Sequence, residues 1–532
     1  MTCESICIRI RFALPGVEHC RINLKMQIFT VVYLLGLSLA LQNVHCFFVD
    51  TAAHPKENST KRKHKSDDGP VVVKIELGQS LNTISPHFVG VNIDSDTVRY
   101  HWQTLDFSSQ KLQNLARALS PSYLRMGGTS ADGMNYFMGN ATAAGTQVFN
   151  AGHHVAKPPF NITADQWVYL NEFLRTVSWD FIFDLNALKR NADGSWDPDN
   201  ARQLLQFSAD RNYTIAGFEL GNEFDIYRSE YDVTVAPAQL AQDVMTLQKL
   251  LTEFPKYKSS FIIGPETAYF APEYFQAFLA AGGYKAVHAA SFHHYYLMTD
   301  EERNLQHFTD IDMMDTMKAH LDEVFAEVRS VDPQLPVWLS ETSSANNGGL
   351  AGLSDAFVAG FLWLDKLGVC AVKGVETVMR QAFYGRDYSL VDGDLNPNPD
   401  FWLTVLYKRI VRGAVFNATG RHDVRVYAAC ANTDNFKAGS LVVYMLNPNN
   451  YSVTFDLPQF QSQSRLVYSL TPGDSNGLIS KFVSLNGVKL ELVNDELPDL
   501  KPESAPPGVV TMDPYSYIFV VFPEAKISIC LH

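Results

Sequence analysis

The sequence predicts an α/β fold, a (β/α)8 barrel carrying a C-terminal antiparallel β-sandwich. Three observations predict it. Between residues 85 and 411, eight short apolar runs alternate with eight stretches of helical spacing. After residue 411 the pattern changes to short alternating runs separated by turn residues. Two of the apolar runs, far apart in the chain, end in a glutamate at the edge where such a barrel keeps its working residues.

The chain has 532 residues, 46% of them apolar and 19% charged, so it can bury a large core and is neither coiled coil nor disordered as a whole. Residues 1–46 are read as a signal peptide or weak anchor. Residues 28–41 are nearly unbroken apolar sequence behind Arg21 and Lys25, shorter than the roughly 18 residues needed to span a bilayer. Either Met26 is the working start and the segment is cleaved, or it is retained. Because it holds two acids against four bases, its removal takes the net charge from −14 to −16. So acidic a chain lacks the basic surface a general nucleic-acid binder needs. Residues 47–70 form a polar run too poor in apolar surface to order itself, read as a tether or, through 61–65, a contact for an acidic glycan.

Residues 71–84 supply a strand that can join the sandwich. The barrel, 85–411, is assigned strands at 87–93, 123–128, 181–188, 215–221, 261–266, 289–296, 336–342 and 376–383. Its helices are assigned to 109–119, 164–177, 199–211, 238–254, 272–281, 311–329, 353–367 and 401–411. The sandwich, 412–532, reads as strands at 423–430, 440–446, 453–457, 465–470, 481–485, 488–493 and 515–522, with Asn486-Gly487 as a hairpin turn. Of seven cysteines, Cys3, Cys7, Cys20 and Cys46 lie in or beside the signal, leaving no disulfide scaffold and no zinc spacing. Six sequons, at Asn58, Asn140, Asn161, Asn212, Asn417 and Asn450, fit a secretory route to the cell exterior, its matrix or the lysosome.

The fourth strand ends Phe218-Glu-Leu-Gly-Asn-Glu223 and the seventh Val337-Trp-Leu-Ser-Glu-Thr342. Glu223 and Glu341 thus face one barrel mouth. Two such carboxylates are the minimal apparatus for glycoside cleavage, one to protonate the leaving oxygen, the other to attack the anomeric carbon or activate water. A single glutamate at a strand end is more often a solvated loop residue; the pair is harder to dismiss. Asn222 supplies an amide beside the acid, whereas Glu219 lies deeper and reads as a structural partner in the barrel floor. The sixth strand carries His293-His-Tyr-Tyr296, so His293 and Tyr295 share one face and His294 and Tyr296 the other; pattern alone does not choose between them. The adjacent histidines make a poor metal site, because neighbouring strand residues diverge. Asn347-Gly-Gly349 lets backbone approach a sugar, or is an ordinary loop. No nucleotide-binding, zincin or nucleophile-elbow motif occurs, so no cofactor is expected.

These motifs, with Trp363-Leu-Asp-Lys-Leu-Gly368, Val378-Met-Arg-Gln381, Arg425-Val-Tyr427 and Leu485-Asn-Gly-Val488, resemble the heparanase family, secreted retaining endo-β-glucuronidases, from about residue 85 to the end. The resemblance implies Glu223 as acid/base, Glu341 as nucleophile and Asn222 as holder of the sugar 2-hydroxyl. It selects His293 and Tyr295 to orient nucleophile and substrate, and implies uronate contacts from Gly348, Gly349 and Tyr388. It places Asp94, Thr129 and Gln381 along the cleft and pairs Cys430 with Cys530, leaving Cys370 a buried thiol. The chain departs from the family pattern in several places. Only a short span, 133–164, stands where processed members carry an excised linker, so this chain is expected to work uncut. Phe224 replaces a usual proline and Asn347 a glycine. Glu266 to Glu273 stands where a basic patch is expected, which weakens sulfated heparan as substrate and raises hyaluronan. The remaining candidate cleft cations are Lys157, Lys189, Arg190, Arg228 and Arg386.

The resulting expectation is a retaining endo-β-glucuronidase acting on a glycosaminoglycan of heparan sulfate type. Its alternatives are a hyaluronan endo-β-glucuronidase, an exo-β-glucuronidase, or a secreted glycan-binding protein on a hydrolase scaffold. The two carboxyl groups are expected about 5–5.5 Å apart. Stable membrane insertion beyond the signal segment is not expected, and the sequence is silent on oligomeric state.

Overall fold

The computed structural model describes residues 69–99, 105–139, 159–268, 271–299 and 304–531. The signal segment, the tether up to residue 68, Asn58, Asn140 and Lys157 lie outside the described residues. Among those described, no helix is long and apolar enough to cross a membrane.

Eight parallel strands close into a barrel: β1 (Val89–Asp94), β2 (Tyr123–Gly127), β3 (Asp180–Leu185), β4 (Gly217–Leu220), β5 (Phe261–Thr267), β6 (Ala289–Leu297), β7 (Val337–Ala345) and β8 (Thr377–Arg380). Between and after them run α1 (Gln110–Ala118), α2 (Ala164–Val177), α3 (Asp199–Asp210), α4 (Pro237–Thr252), α5 (Pro272–Ala280), α6 (Ile311–Val331), α7 (Ala359–Lys373) and α8 (Pro399–Ile410). Local chemistry sets several starts: Thr163 and Gln166 form a capping box on α2, and proline begins α4, α5 and α8. The barrel floor is apolar, with Ile182, Ile263, Ala289, Trp338 and Met379 packed against Tyr123 and Phe261. Charged side chains occupy the layer above it.

Helix α7 begins six residues later than the spacing suggested. Residues 350–358 instead make turns: Leu350 N–H donates to the Ser354 hydroxyl, Gly352 adopts φ +80°, and Phe357 and Val358 N–H donate to Ser480 and Leu478 of the second domain. The apolar period there is satisfied by docking, not by a helix. Strand Val411–Thr419, read as the end of a helix and an unassigned stretch, follows α8 without a loop. Its alternation is hidden by a register shift between Val411 and Val415 at Gly413, φ +83°.

The second domain has a ten-stranded and a three-stranded sheet. Residues 71–84 feed both: Val71–Val72 pairs with Val453–Asp456, while Lys74–Glu76 and Asn82–Ile84 pair with Val411–Thr419. The first of these pairings is parallel, a departure from the all-antiparallel expectation. Asn486 and Gly487, both at positive φ, turn the hairpin that sets Leu485 opposite Val488. One face of the large sheet forms a core with the small one, through Phe416, Val443, Phe455 and Ile518. Its other face packs on the barrel through Tyr427, Tyr444 and Phe519. Helix α7 reaches that face because Gly360 and Gly368 lack side chains: a Cβ would sit 2.4 Å from the Tyr517 hydroxyl and 2.5 Å from the Tyr427 ring. Cys430 and Cys530 form a disulfide across 100 residues, and Cys370 is a buried free thiol. Asn212 and Asn450 are exposed, Asn161 and Asn417 half-buried.

Gly368→Val is expected to cost about 1–3 kcal/mol or more in chemical denaturation, because both α7 and the sheet are fixed; wild-type stability would contradict so close an approach. Replacing Cys430 and Cys530 by serine is expected to cost about 2–4 kcal/mol, since the unfolded chain regains the freedom of a long loop.

Candidate active site

Arg125 projects from β2 into the barrel and is wholly buried. Its Nε donates to Glu219 at 2.7 and 2.9 Å, Nη1 to Glu341 Oε2 at 2.7 Å and Nη2 to Asn222 Oδ1 at 2.9 Å. Nη2 also lies 3.5 Å from Glu266 Oε2. One guanidinium therefore ties together β2, β4, β5 and β7.

Glu341 and Glu266 reach the interior through irregularities in their strands. Pairing of β6 with β7 slips from Phe292–Leu339 to His293–Glu341, so that successive residues Ser340 and Glu341 both meet interior partners. On β5 the register slips between Pro265 and Thr267, and Glu266, at φ +55°, turns inward. A bulge re-aims a side chain in this way. Glu223 follows Gly221 at the exit of β4 with φ +63°, and its N–H donates to Glu266 O at 2.7 Å.

His293 and Tyr295 face this cluster, and His294 and Tyr296 face the helices. Tyr295 donates to Glu341 Oε1 at 2.6 Å. His293 Nδ1 is 2.9 Å from Glu223 Oε1 and Nε2 is 2.8 Å from Glu266 Oε2. Its distance to Glu341 Oε1 is 3.9 Å, so it bridges Glu223 and Glu266 and approaches Glu341 only electrostatically. Of the pair expected to orient nucleophile and substrate, Tyr295 is the one that hydrogen-bonds Glu341. Oxygens of Glu223 and Glu341 lie within 4.8 Å of one another. Glu223, His293 and Glu341 have the composition of a cation site, but His293 Nδ1 faces Glu223 and Glu341 accepts from Arg125 and Tyr295, so these donors are committed to internal pairing.

The electrostatics separate the two glutamates. Burial pushes Glu341 upward, but His293, Arg125 and the Tyr295 hydroxyl outweigh it and hold the carboxyl below its ordinary range. Burial raises Glu223, opposed by His293 and reinforced by the Glu341 charge, and the balance is upward. Burial would lower His293, yet Glu341, Glu223 and Glu266 keep it well above an ordinary histidine. Burial brings Asp94 to about 6.

A cleft of about 630 Å³ opens over Glu223 and Glu341. Asp94, Thr129, Tyr295, Gly348, Gln381 and Tyr388 line it. Asn222 is buried behind it with its amide oxygen held by Arg125, and Gly349 shapes the wall: a Cβ there would lie 2.8 Å from Tyr388 N. Of the expected cations, Arg386 lines the cleft; Lys189 and Arg190 border an adjoining depression, where Arg190 pairs with Asp243. Arg228 is exposed and pairs with Asp232. Arg99 and Arg125 were not singled out from the sequence, and Glu266 was read only as the start of a stretch replacing a basic patch. Arg125 had a signal, a lone charge in the apolar run Tyr123-Leu-Arg-Met-Gly127, since a buried charge needs a partner.

Arg125→Met is expected to destabilise the protein by about 3–5 kcal/mol, because three buried carboxylates lose their counter-charge. A variant within about 1 kcal/mol of wild type in denaturant unfolding would show that Arg125 does not organise this layer.

Residues 98–368 match the model of glycosyl hydrolase family 79, N-terminal domain. Heparanase from Bos taurus is 32% identical over 500 residues, covering 85% of this chain and 91% of the relative. Hyaluronoglucuronidase from Hirudo nipponia is 29% identical, covering 86% and 99%. Among solved structures, a 4-O-α-L-rhamnosyl-β-D-glucuronidase from Fusarium oxysporum 12S superposes with a TM-score of 0.63 at 16% identity, over 84% of this chain and 99% of that one, a likeness of fold. With so much of the chain matched, and two glutamates facing each other in one cleft, this protein belongs to glycosyl hydrolase family 79 and is a glycoside hydrolase.

Proposed function

We propose that the protein is a retaining endo-β-glucuronidase that cleaves a glycosaminoglycan by double displacement, with Glu341 as nucleophile and Glu223 as acid/base. The observation that carries this reading is that a carboxylate oxygen of Glu223 lies within 4.8 Å of one of Glu341. Retaining enzymes hold their carboxyl groups about 5–5.5 Å apart, and inverting enzymes about 6.5–9.5 Å to admit a water. In the first step Glu341 Oε1 or Oε2 attacks the anomeric carbon while Glu223 gives its proton to the leaving oxygen. In the second, Glu223 takes a proton from water, which displaces Glu341. Contacts from Arg125 and Tyr295 favour the ionised Glu341 this requires. Asn222, its oxygen fixed by Arg125, turns its NH2 to a sugar hydroxyl, and Tyr388 and Gly348 border the place for the uronate. The glucuronide specificity is supported by the heparanase and hyaluronoglucuronidase relatives, and the signal segment and sequons support a secreted protein.

A second reading, hyaluronan as the polymer, is favoured by one feature of the cleft. Among the described residues lining it, five are acidic (Asp94, Asp96, Glu223, Glu230 and Glu341) and two are cations (Arg99 and Arg386). Such a wall suits a sparsely charged chain better than a densely sulfated one. Incubation with heparan sulfate and hyaluronan, followed by sizing of the products, decides between them. Large fragments mark endo cleavage, whereas release of monosaccharide alone would refute it.

Glu341→Gln is expected to lower turnover of an aryl β-glucuronide by at least about 10³-fold with little change in melting temperature. Glu223→Ala should spare the first step on substrates with a good leaving group, read as kcat/KM, while slowing the second, read as kcat, and proton NMR of the wild-type reaction should show the β-anomer first; a first-formed α-anomer would exclude retention. The active form needs Glu341 ionised and Glu223 protonated. Activity should therefore fall on the acid side as Glu341, with its depressed pKa, takes up a proton. It should fall on the alkaline side as Glu223, with its raised pKa, loses one. In Glu341→Gln the Glu223 pKa should move down, because a neighbouring negative charge is gone; titration by NMR reads it.

A further inference from the structure

Behind the catalytic strands lies a second buried polar group that the mechanism does not use. Lys366, on α7, is 1% exposed. Its Nζ donates to Thr342 Oγ1 at 2.5 Å and to Ser343 O at 2.9 Å, and lies 3.4 Å from His294 O. It sits 4.3 Å from the centre of the Tyr296 ring. Thr342 in turn donates to His294 O and accepts Gln381 N–H on its own carbonyl. Apart from the Ser343 carbonyl, these partners belong to the outer face of β6 or β7, or to the exit of β8. The residues that alternate with them on the inner face are His293, Tyr295 and Glu341.

The neighbouring residue, Asp365, points away from the barrel. It accepts from the Tyr427 hydroxyl at 2.5 Å and lies 3.1 Å from Arg425 Nε, both on the large sheet of the second domain. Arg425 also donates to Asp315 and to Ile311 O of α6. The remaining titratable groups packed around Lys366 are His294, His320 on α6, Cys370 and Arg380. No carboxylate hydrogen-bonds Lys366 itself among the described contacts; its partners are carbonyls and a hydroxyl, which fix direction more than charge. The ammonium is pushed well below its ordinary range, by burial first.

We propose that Lys366 is a positioning residue, the final link in a connection running from Tyr427 and Arg425 through Asp365 and α7 to the β6–β7 pair. It holds the bulged register that sets Glu341 opposite His293 and within reach of Tyr295. The second domain is then part of what aligns the site. Loss of the link leaves the chemistry's groups present but misplaced, and a displacement of about 1 Å is enough to cost about a hundredfold in rate. This inference rests on the reading of Glu341 as the nucleophile.

Lys366→Met keeps an unbranched side chain, one atom shorter, and removes its donors. On an aryl β-glucuronide, kcat is expected to fall about tenfold or more, with KM changed less than about threefold. The acid limb of the pH–rate profile should move to higher pH, since Glu341 loses part of the contacts that hold its proton off. Tyr427→Phe should shift both in the same direction by less, and serves if Lys366→Met does not fold. Phe455→Ala, in the core between the two sheets, supplies a destabilised control that should leave the acid limb where it is in wild type. A Lys366→Met or Tyr427→Phe protein with lowered melting temperature but wild-type kcat and acid limb would overturn the proposal. A wild-type protein without activity on any β-glucuronide, or an active Glu341→Gln, would instead remove the functional reading beneath it.

Discussion

One permanent cation sits among the carboxylates of the barrel interior, and the arrangement of the site follows from it. Removing an ionised group from water costs several kcal/mol unless partners are supplied, so Arg125 and the acids around it require one another. A guanidinium suits the task because its donors spread in a plane. One edge engages Glu219, another reaches Glu341, and the remaining nitrogen orients Asn222. A lysine at the same place would offer a point charge and could not hold three strands in register. Arg125, with Tyr295, also helps to make Glu223 and Glu341 unequal. Glu341 is buried and Glu223 half-buried, and Arg125 donates to Glu341 and not to Glu223.

His293 is the second cation, and a conditional one. It carries charge because three carboxylates surround it, and it touches Glu223 and Glu266 directly. The protonation of Glu223, His293 and Glu266 is thus a property of the group. Ser291 and Ser340, both donating to Glu266, anchor the far side of the cluster. The glutamates owe their approach to irregular backbone: two register slips and two left-handed residues, Glu223 and Glu266. Left-handed backbone at a non-glycine residue costs of order 1–3 kcal/mol and persists where the surroundings over-determine it. Here the hydrogen bond from Glu223 N–H to Glu266 O joins the two such residues.

The second domain is more than an appendage. Its large sheet is covered on both faces, by the small sheet on one side and by the barrel on the other, and two glycines of α7 permit tyrosines of that sheet to lie against the helix backbone. A sheet face buried against a barrel helix in this way transmits position, because close-packed interiors yield little.

By itself the sequence determined the barrel, the second domain and the two glutamates that face each other, because each is written in local pattern: the period of the apolar runs, the turn at Asn486-Gly487, a carboxylate at a strand exit. It also separated Glu219 from Glu223 by depth along β4. It left open which face of His293-His-Tyr-Tyr296 looks inward, since alternation is symmetric, and it passed over Glu266 and Arg125. Strict alternation from Ile263 would turn Pro265 inward and Glu266 outward, and a bulge reverses that order; nothing local in Gly264-Pro-Glu-Thr267 announces it. Only the closed barrel decided these matters. Partnership among Arg125, Glu219, Glu266 and Glu341 depends on strands more than 200 residues apart being brought side by side, and the charge each group carries depends on what burial leaves next to it.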